Sequence, residues 1–389
     1  MALKYIQMTC YNTLFLVMKR FIFIIFACAF FLFGLPVHAA TPTPKAPAMP
    51  TDTYAKAKVV KILAQGQKSI GGVKNLYQKV QLQILDGPET GKTINLTYGD
   101  TTTLQANQEV AAGQTIVLMK SVTPQNTTYT IADTYRLDNL YPLIALFLVA
   151  VFIVARLKGL GSLIGLGISL TIITQFIVPQ ILSGQDPLLA SIVGSLFIMV
   201  ATMYLAHGFS QKTHIALIAT SLALVLTGVL SYIFVNLTFL TGLGSEDAQS
   251  LAFGQTATIN FQGLLLGGVI IGSLGVLEDI TTGLAASIQE LSKANTKLKF
   301  GELVGSGLRI GSEHIAALVN TLALAYAGAG LPLFLFIILN PNHQPIWLIL
   351  NSEIIMEEIV RTLAGSIGLI LAVPLTAVFA AWAFQQKGR

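Results

Sequence analysis

The stretch FQGLLLGGVIIGSLGVLEDITTGLAASIQEL, residues 261–291, decides how the chain is read. From Phe261 to Leu277 it is apolar or glycine except for Gln262 and Ser273, and then two acids, Glu278 and Asp279, stand side by side. An apolar run of about 20 residues crosses a hydrocarbon core about 30 Å thick. Comparable runs recur from Leu140 to the C-terminus, and the pattern gives seven spans, near 140–156, 160–182, 188–207, 214–236, 262–281, 314–339 and 362–384. Composition agrees: 53% of the 389 residues are hydrophobic and 11% charged, against about 25% charged in a soluble domain. The expected fold is an all-α polytopic bundle of about seven transmembrane helices. It is preceded by a small exported β-barrel-like domain (53–139), a Pro-rich tether (40–52) and a signal peptide (1–39).

The leader rests on Lys19-Arg20, the apolar run FIFIIFACAFFLFGL (21–35) and the small-residue site Val37-His38-Ala39, the n-, h- and cleavage regions of a secretory signal. Met18 offers an alternative start, and an uncleaved anchor is the alternative fate. Both cysteines, Cys10 and Cys28, lie here, so the chain beyond it has no thiol chemistry, disulfide or cysteine-ligated metal. Losing Lys4, Lys19 and Arg20 lowers the formal charge from +5 to +2, which does not suit a nucleic-acid partner.

Alternation and β-branched runs at 55–63, 76–85, 93–98, 109–120 and 127–133 predict five short strands, enough for a small OB-like or SH3-like barrel. TGKTINL (90–96) and AGQTIVL (112–118) echo each other as turn-strand units. DGPETGKT (86–93) imitates a phosphate loop, but Asp86 replaces the first glycine and a strand follows; a hairpin turn is expected instead.

Charge sets the expected orientation. Alternate connections carry Arg156, Lys158, Lys212, Lys293, Lys297, Lys299 and Arg309, whereas 183–187, 237–261 and 340–352 carry no Lys or Arg. The positive-inside rule then places residues 40–139 outside the plasma membrane and the C-terminus in the cytoplasm.

Drawn as a helix, 275–291 puts Gly275, Asp279, Thr282, Ala286 and Glu290 on one face and Leu277, Ile280, Leu284, Ile288 and Leu291 on the other. Asp279 is expected to face neighbouring helices or water and the leucines to face lipid, with Glu278 marking the cytoplasmic helix end. Candidate proton- or ion-coupling residues are Asp279, Glu278, Glu290 and Asn320, because acids inside a membrane are expensive unless they serve a function. Gly272 and Gly275 are candidate packing points. Gly328, Gly330 and Pro332 in AYAGAGLP (325–332) are candidate hinges of a broken helix. NSEIIMEEIVRTLAGSIG (351–368) supplies Glu353, Glu357, Glu358 and Arg361. Of these, Glu357, Glu358 and Arg361 are the candidates for an external gate or ion pair. No metal site, cofactor or enzyme motif is read: HExxH, GxSxG and Cys are missing from the chain beyond the leader.

At GSLGVLEDITTGLAASIQEL (272–291), HIAALVNTLALAYAGAGLPL (314–333) and NSEIIMEEIVRTLAGSIGLILAVPLTA (351–377), the chain resembles the YibE/F-like family of bacterial membrane proteins. The resemblance implies an integral plasma-membrane protein described as a transporter of unspecified cargo. It matches Asp279 to an aspartate shortly after a glycine. A looser similarity in the order of Gly272, Asp279, Glu290, Arg309, Asn320 and Leu331-Pro332 links the chain to proton-driven permeases of the resistance-nodulation type, and implies proton coupling. The expected partners are the bilayer, a small solute or ion, and a protein bound through the exported domain. A membrane scaffold is the competing reading.

Overall fold

The computed structural model describes residues 51–70, 73–99, 104, 108–123, 126–254, 259–340 and 343–385. They fall into two units, one ending at Ala150 and the other beginning at Val151. The expected leader and most of the tether, residues 1–50, lie outside the described residues.

All five expected strands are present: β1 (Thr51–Ile70), β2 (Val73–Ile84), β3 (Thr93–Tyr98), β4 (Thr115–Val122) and β5 (Thr127–Thr134). β1 takes up the last two residues of the expected tether and is much longer than its hydrophobic pattern. The reason is register. Its first part, Thr51–Lys58, pairs antiparallel with β4, and Ala57–Ile70 pairs with β2. Bulges between Val59 and Lys61 and between Ile62 and Ala64 bend it, because an extra residue on one strand increases local twist. The sheet order is β3-β2-β1-β4-β5, a half-barrel whose edge strands β3 and β5 approach without ladder pairing. Val59, Val80, Leu82, Ile116, Leu118 and Ile131 fill its concave side.

The DGPETGKT segment is a turn between β2 and β3, with Gly87 at φ 81° and Gly91 at φ 86°. Gly113, at φ 88°, plays the same part before β4, which accounts for the echo between TGKTINL and AGQTIVL. The turn also reaches β5. Glu89 Oε2 accepts a hydrogen bond from the Tyr129 hydroxyl (2.8 Å) and pairs with Lys120 Nζ (3.1 Å), while Oε1 pairs with Lys92 Nζ (2.8 Å). These donors, Lys92 first, hold the Glu89 carboxyl down at about 2.

α1 (Leu137–Leu157) begins in the first unit and ends in the second, which continues with α2 (Gly159–Leu182) and α3 (Pro187–His207). Next come α4 (Gln211–Leu237), α5 (Glu246–Gly254), α6 (Phe261–Ala294), α7 (Phe300–Ala329), α8 (Leu331–Leu339), α9 (Ile346–Leu350) and α10 (Glu353–Phe384). Side-chain caps mark several starts: Asp186 accepts from Leu189 N, Ser210 from Thr213 N, Ser245 from Ala248 N and Asn260 from Gly263 N. Arg156, at φ 51°, separates α1 from α2. A π turn, Ile173–Ile177, precedes Pro179 in α2, where proline removes one backbone donor.

Among the described residues, six helices are long and apolar enough to cross a membrane: α1, α2, α3, α4, α6 and α10. The span expected at 314–339 is divided. α7 stops at Ala329 and α8 starts at Leu331, so the chain breaks at Gly330 within the glycine-proline segment that predicted a break.

α6 is the hub, packed against α3, α4, α7 and α10. Bonds at its two ends fix which loops share a side. Asn260 donates to Asp186 (3.2 Å), and Gln262 donates to the Leu240 carbonyl (3.1 Å). At the opposite end Ser292 donates to the Phe384 carbonyl (2.6 Å) and Gln211 to the Ala383 carbonyl (3.4 Å). The loops the charge pattern sorts together therefore lie together.

Two outcomes follow. Because the folded Glu89 value lies below the ordinary 4.5, its contribution is complete above that value and is lost as pH falls toward about 2. Hydrogen exchange in β5, corrected for intrinsic rate, is expected to rise over that window, and Glu89→Gln to remove most of the pH dependence. In the helical unit, a Cβ at Gly368 would clash with Thr227 Oγ1, whereas at Gly167 nothing lies within 4 Å. Gly368→Ala is expected to destabilise by about 1–3 kcal/mol and Gly167→Ala to be neutral or stabilising, measured by thermal unfolding in detergent.

Candidate functional site

The face of α6 that turns inward is the opposite of the expected one. Leu277, Ile280, Leu284 and Ile288 are buried in the core, while Gly275, Asp279 and Glu290 are exposed. Packing explains the reversal. The large side chains of α6 fit against small and hydroxyl residues of its neighbours, as where Gly228 of α4 lies beside Ile270 and Gly307 of α7 beside Ile288. In lipid such close fit, rather than apolarity, decides which face is inside.

The acid that faces a neighbouring helix is Glu278. It is half-buried, and its Oε2 lies 2.9 Å from the hydroxyl of Thr202 on α3. It does not end the helix, which continues to Ala294. Thr202 lies five residues before the end of α3, about 8 Å along the axis, and Glu278 stands at the middle of α6, 17 residues after Phe261 and 16 before Ala294. Next to it, Thr281 and Thr220 of α4 are fully buried and share a 2.6 Å hydrogen bond.

Proton accounting at Thr202 is informative. Its hydroxyl is 2.9 Å from the Ile198 carbonyl and 2.9 Å from Glu278 Oε2, yet it has one hydrogen to give. If that hydrogen goes to Ile198, the hydrogen toward Glu278 must come from a protonated carboxyl. If Glu278 is ionised, Thr202 must turn to it and release the carbonyl. The contact thus has two settings that differ by one proton on Glu278.

The other candidates are dispersed. Asp279 is exposed, within electrostatic reach of His207 at the end of α3. Glu290 pairs with Lys293 (2.7 Å), and Asn320 is exposed on α7. Gly272, Gly275 and Gly328 have open space where a Cβ would stand, while Gly267 lies against Ser191. Pro332 is exposed in the first turn of α8. Among the described residues no group of three His, Cys, Asp or Glu is placed to hold a metal ion.

In the second acidic cluster, Arg361 pairs with Glu358 (3.1 Å), two of the three ion-pair candidates, and Glu357 is engaged elsewhere. Glu357 is 6% exposed and accepts from Gly244 N at 3.0 Å. Glu353 Oε1 accepts from Thr241 N (2.6 Å), the Thr241 hydroxyl (2.6 Å) and Gly242 N (3.0 Å). The first two turns of α10 therefore clamp the loop after α4 through its backbone donors. Gly242 is required here: its φ is +85°, and a Cβ would stand 2.1 Å from the Phe261 carbonyl oxygen.

Sequence reasoning missed Thr202, Thr220 and the 241–244 loop. Ser191, Ser195 and Thr202 recur at helical spacing in an otherwise apolar run, and that is the signal that would have found the first. Glu353→Ala should speed amide exchange at Thr241 and Gly242 roughly ten- to a hundred-fold, since bonds to a charged acceptor are worth about 1.5–3 kcal/mol; Glu358→Ala should leave it unchanged.

No curated protein and no solved structure matches the chain. The YibE/F-like protein family matches residues 143–386, a segment that runs from α1 through α10 and includes the Glu278 contact and the α10 clamp. The match covers more than half of the chain, and the chain belongs to the YibE/F-like family of proteins.

Proposed function

We propose that this is a plasma-membrane transporter of a small solute or ion, coupled to proton movement through Glu278. The observation that carries this reading is the Glu278–Thr202 contact. A carboxyl placed between membrane helices is costly and calls for a functional reason, and its partner can accept either protonation state. Asp279, Glu290 and Asn320 are assigned no part in the coupling step, because they lie outside the interhelical contact. The break at Gly330 and the clamp of α10 on loop 241–244 supply movable elements, of the kind transporters use at their gates. The proposed orientation places residues 40–139 outside and the C-terminus in the cytoplasm. It is supported by the charge pattern and by the sharing of loops at each end of the bundle.

A second reading is a membrane scaffold whose exported domain binds a protein. Val60 and Leu63, nearly half exposed beside the β1 bulges, favour it. Deleting 53–133 separates the two: a scaffold loses all function, whereas a transporter retains flux.

The direct test is proton flux in liposomes containing a pH-sensitive dye, with and without candidate solutes. Glu278→Gln is expected to abolish flux, Thr202→Val to reduce it at least ten-fold, and Asp279→Asn to leave most of it. Flux unchanged in Glu278→Gln would remove that residue from the mechanism.

A further inference from the structure

The outward face of α6 carries a seam that the bundle does not use. Gly268, Gly272, Gly275, Asp279, Thr282 and Ala286 follow one another at spacings of four, three, four, three and four, and none of them is buried. At Gly268, Gly272 and Gly275 an added Cβ would meet nothing within 4 Å. A glycine inside a helix costs up to about 1 kcal/mol relative to alanine. That cost is offset where another backbone approaches, and among the described residues no helix does so here.

α7 carries a second seam of the same period. Arg309, Glu313, Ala316, Asn320, Ala323 and Ala327 repeat at four, three, four, three and four, all exposed except the half-exposed Ala327. The opposite side of α7 holds it in the bundle, with Gly307 on Ile288 and Ala377, and Gly311 on Val373. α6 and α7 run antiparallel from one short connection, so the two seams match in depth. Gly272 stands 22 residues before the end of α6, and Ala323 stands 23 residues after the start of α7. By the same count Gly268 is level with Ala327, and Gly275 with Asn320. The charged residues of the α7 seam, Arg309 and Glu313, stand level with Ala286 and Thr282, and Glu290 continues the α6 seam by one further turn, within reach of the level of Arg309.

We propose that these seams are the two halves of one interface between two copies of this chain. The α6 seam of each copy receives the α7 seam of the other. A two-fold axis along the membrane normal keeps every residue at its own depth, so it brings glycine opposite alanine within the bilayer and acid near base at its edge. Repeats of 3.5 residues suit this left-handed, close-approach packing. The same contact covers Asp279, which an isolated copy leaves open.

The experiment uses the full chain with Cys10 and Cys28 replaced by serine. Two differently tagged versions, one Gly272→Cys and the other Ala323→Cys, are co-expressed and oxidised in the membrane. A disulfide-linked band carrying both tags is expected. It should be lost when Ala323→Cys is exchanged for Ala316→Cys, a level roughly 10 Å away. If both cysteines on a single chain bridge internally while the mixed pair gives no band, α7 closes its own seam and the proposal fails. If neither arrangement bridges, lipid or another protein covers the face and it fails equally. Subunit counting by photobleaching adds an independent readout that needs no cysteine: two steps are expected, and a single step overturns the interface. Neither measurement depends on flux, so the proposal stands or falls separately from the transporter reading.

Discussion

Everything in the helical unit depends on how α6 is covered. In lipid the hydrophobic effect does not hold helices together, because the tails are as apolar as leucine. What remains is close fit and hydrogen bonding. α6 meets both demands on one side only. Its isoleucines lie against glycines of α4 and α7, and Glu278 and Thr281 find hydroxyl partners on α3 and α4. The side left over is small and polar, and it is the side a second copy is proposed to take.

Two carboxylate arrangements in this chain do different physical work. Glu353 accepts three bonds from one loop through a single oxygen, which anchors backbone donors that would otherwise lack a partner. Glu278 has one hydroxyl partner that is itself committed to a carbonyl. The first arrangement suits a fixed charge and the second suits a proton that comes and goes. Glu89, in the sheet domain, is of the first kind: Lys92 from its own turn, and Lys120 and Tyr129 from β4 and β5, converge on it. It ties the β2–β3 turn to the far edge of the half-barrel.

Much of the architecture was legible in the sequence because it follows from period and length. Five β-like runs became five strands, and six of the seven apolar runs became single helices. The glycines at 328 and 330 and Pro332 announced a break, which falls at Gly330. Orientation of the α6 faces was not legible. A polar face opposite an apolar face tells which residues segregate, but in a membrane the apolar face has two suitable environments, lipid and bundle. That choice depends on the size of residues on other helices, such as Gly228 and Gly307, which a reading of α6 alone does not contain. For the same reason Asp279, the acid with the more suggestive neighbours in sequence, lies open, and Glu278, one residue earlier and 100° around the helix, meets Thr202. The pairing of Arg361 with Glu358 rather than Glu357 has a similar origin: the loop at Gly244 competes for Glu357, and nothing adjacent in sequence reveals it.

The measurement that tests the central claim most directly is infrared difference spectroscopy of the full chain in lipid, taken across a pH titration. A carboxylic-acid carbonyl band that appears and disappears with pH is expected in the unmodified chain. It should be missing in Glu278→Gln, shifted in frequency in Thr202→Val, and retained in Asp279→Asn. A titrating band that survives unchanged in Glu278→Gln would contradict the assignment of the exchangeable proton to the Glu278–Thr202 contact.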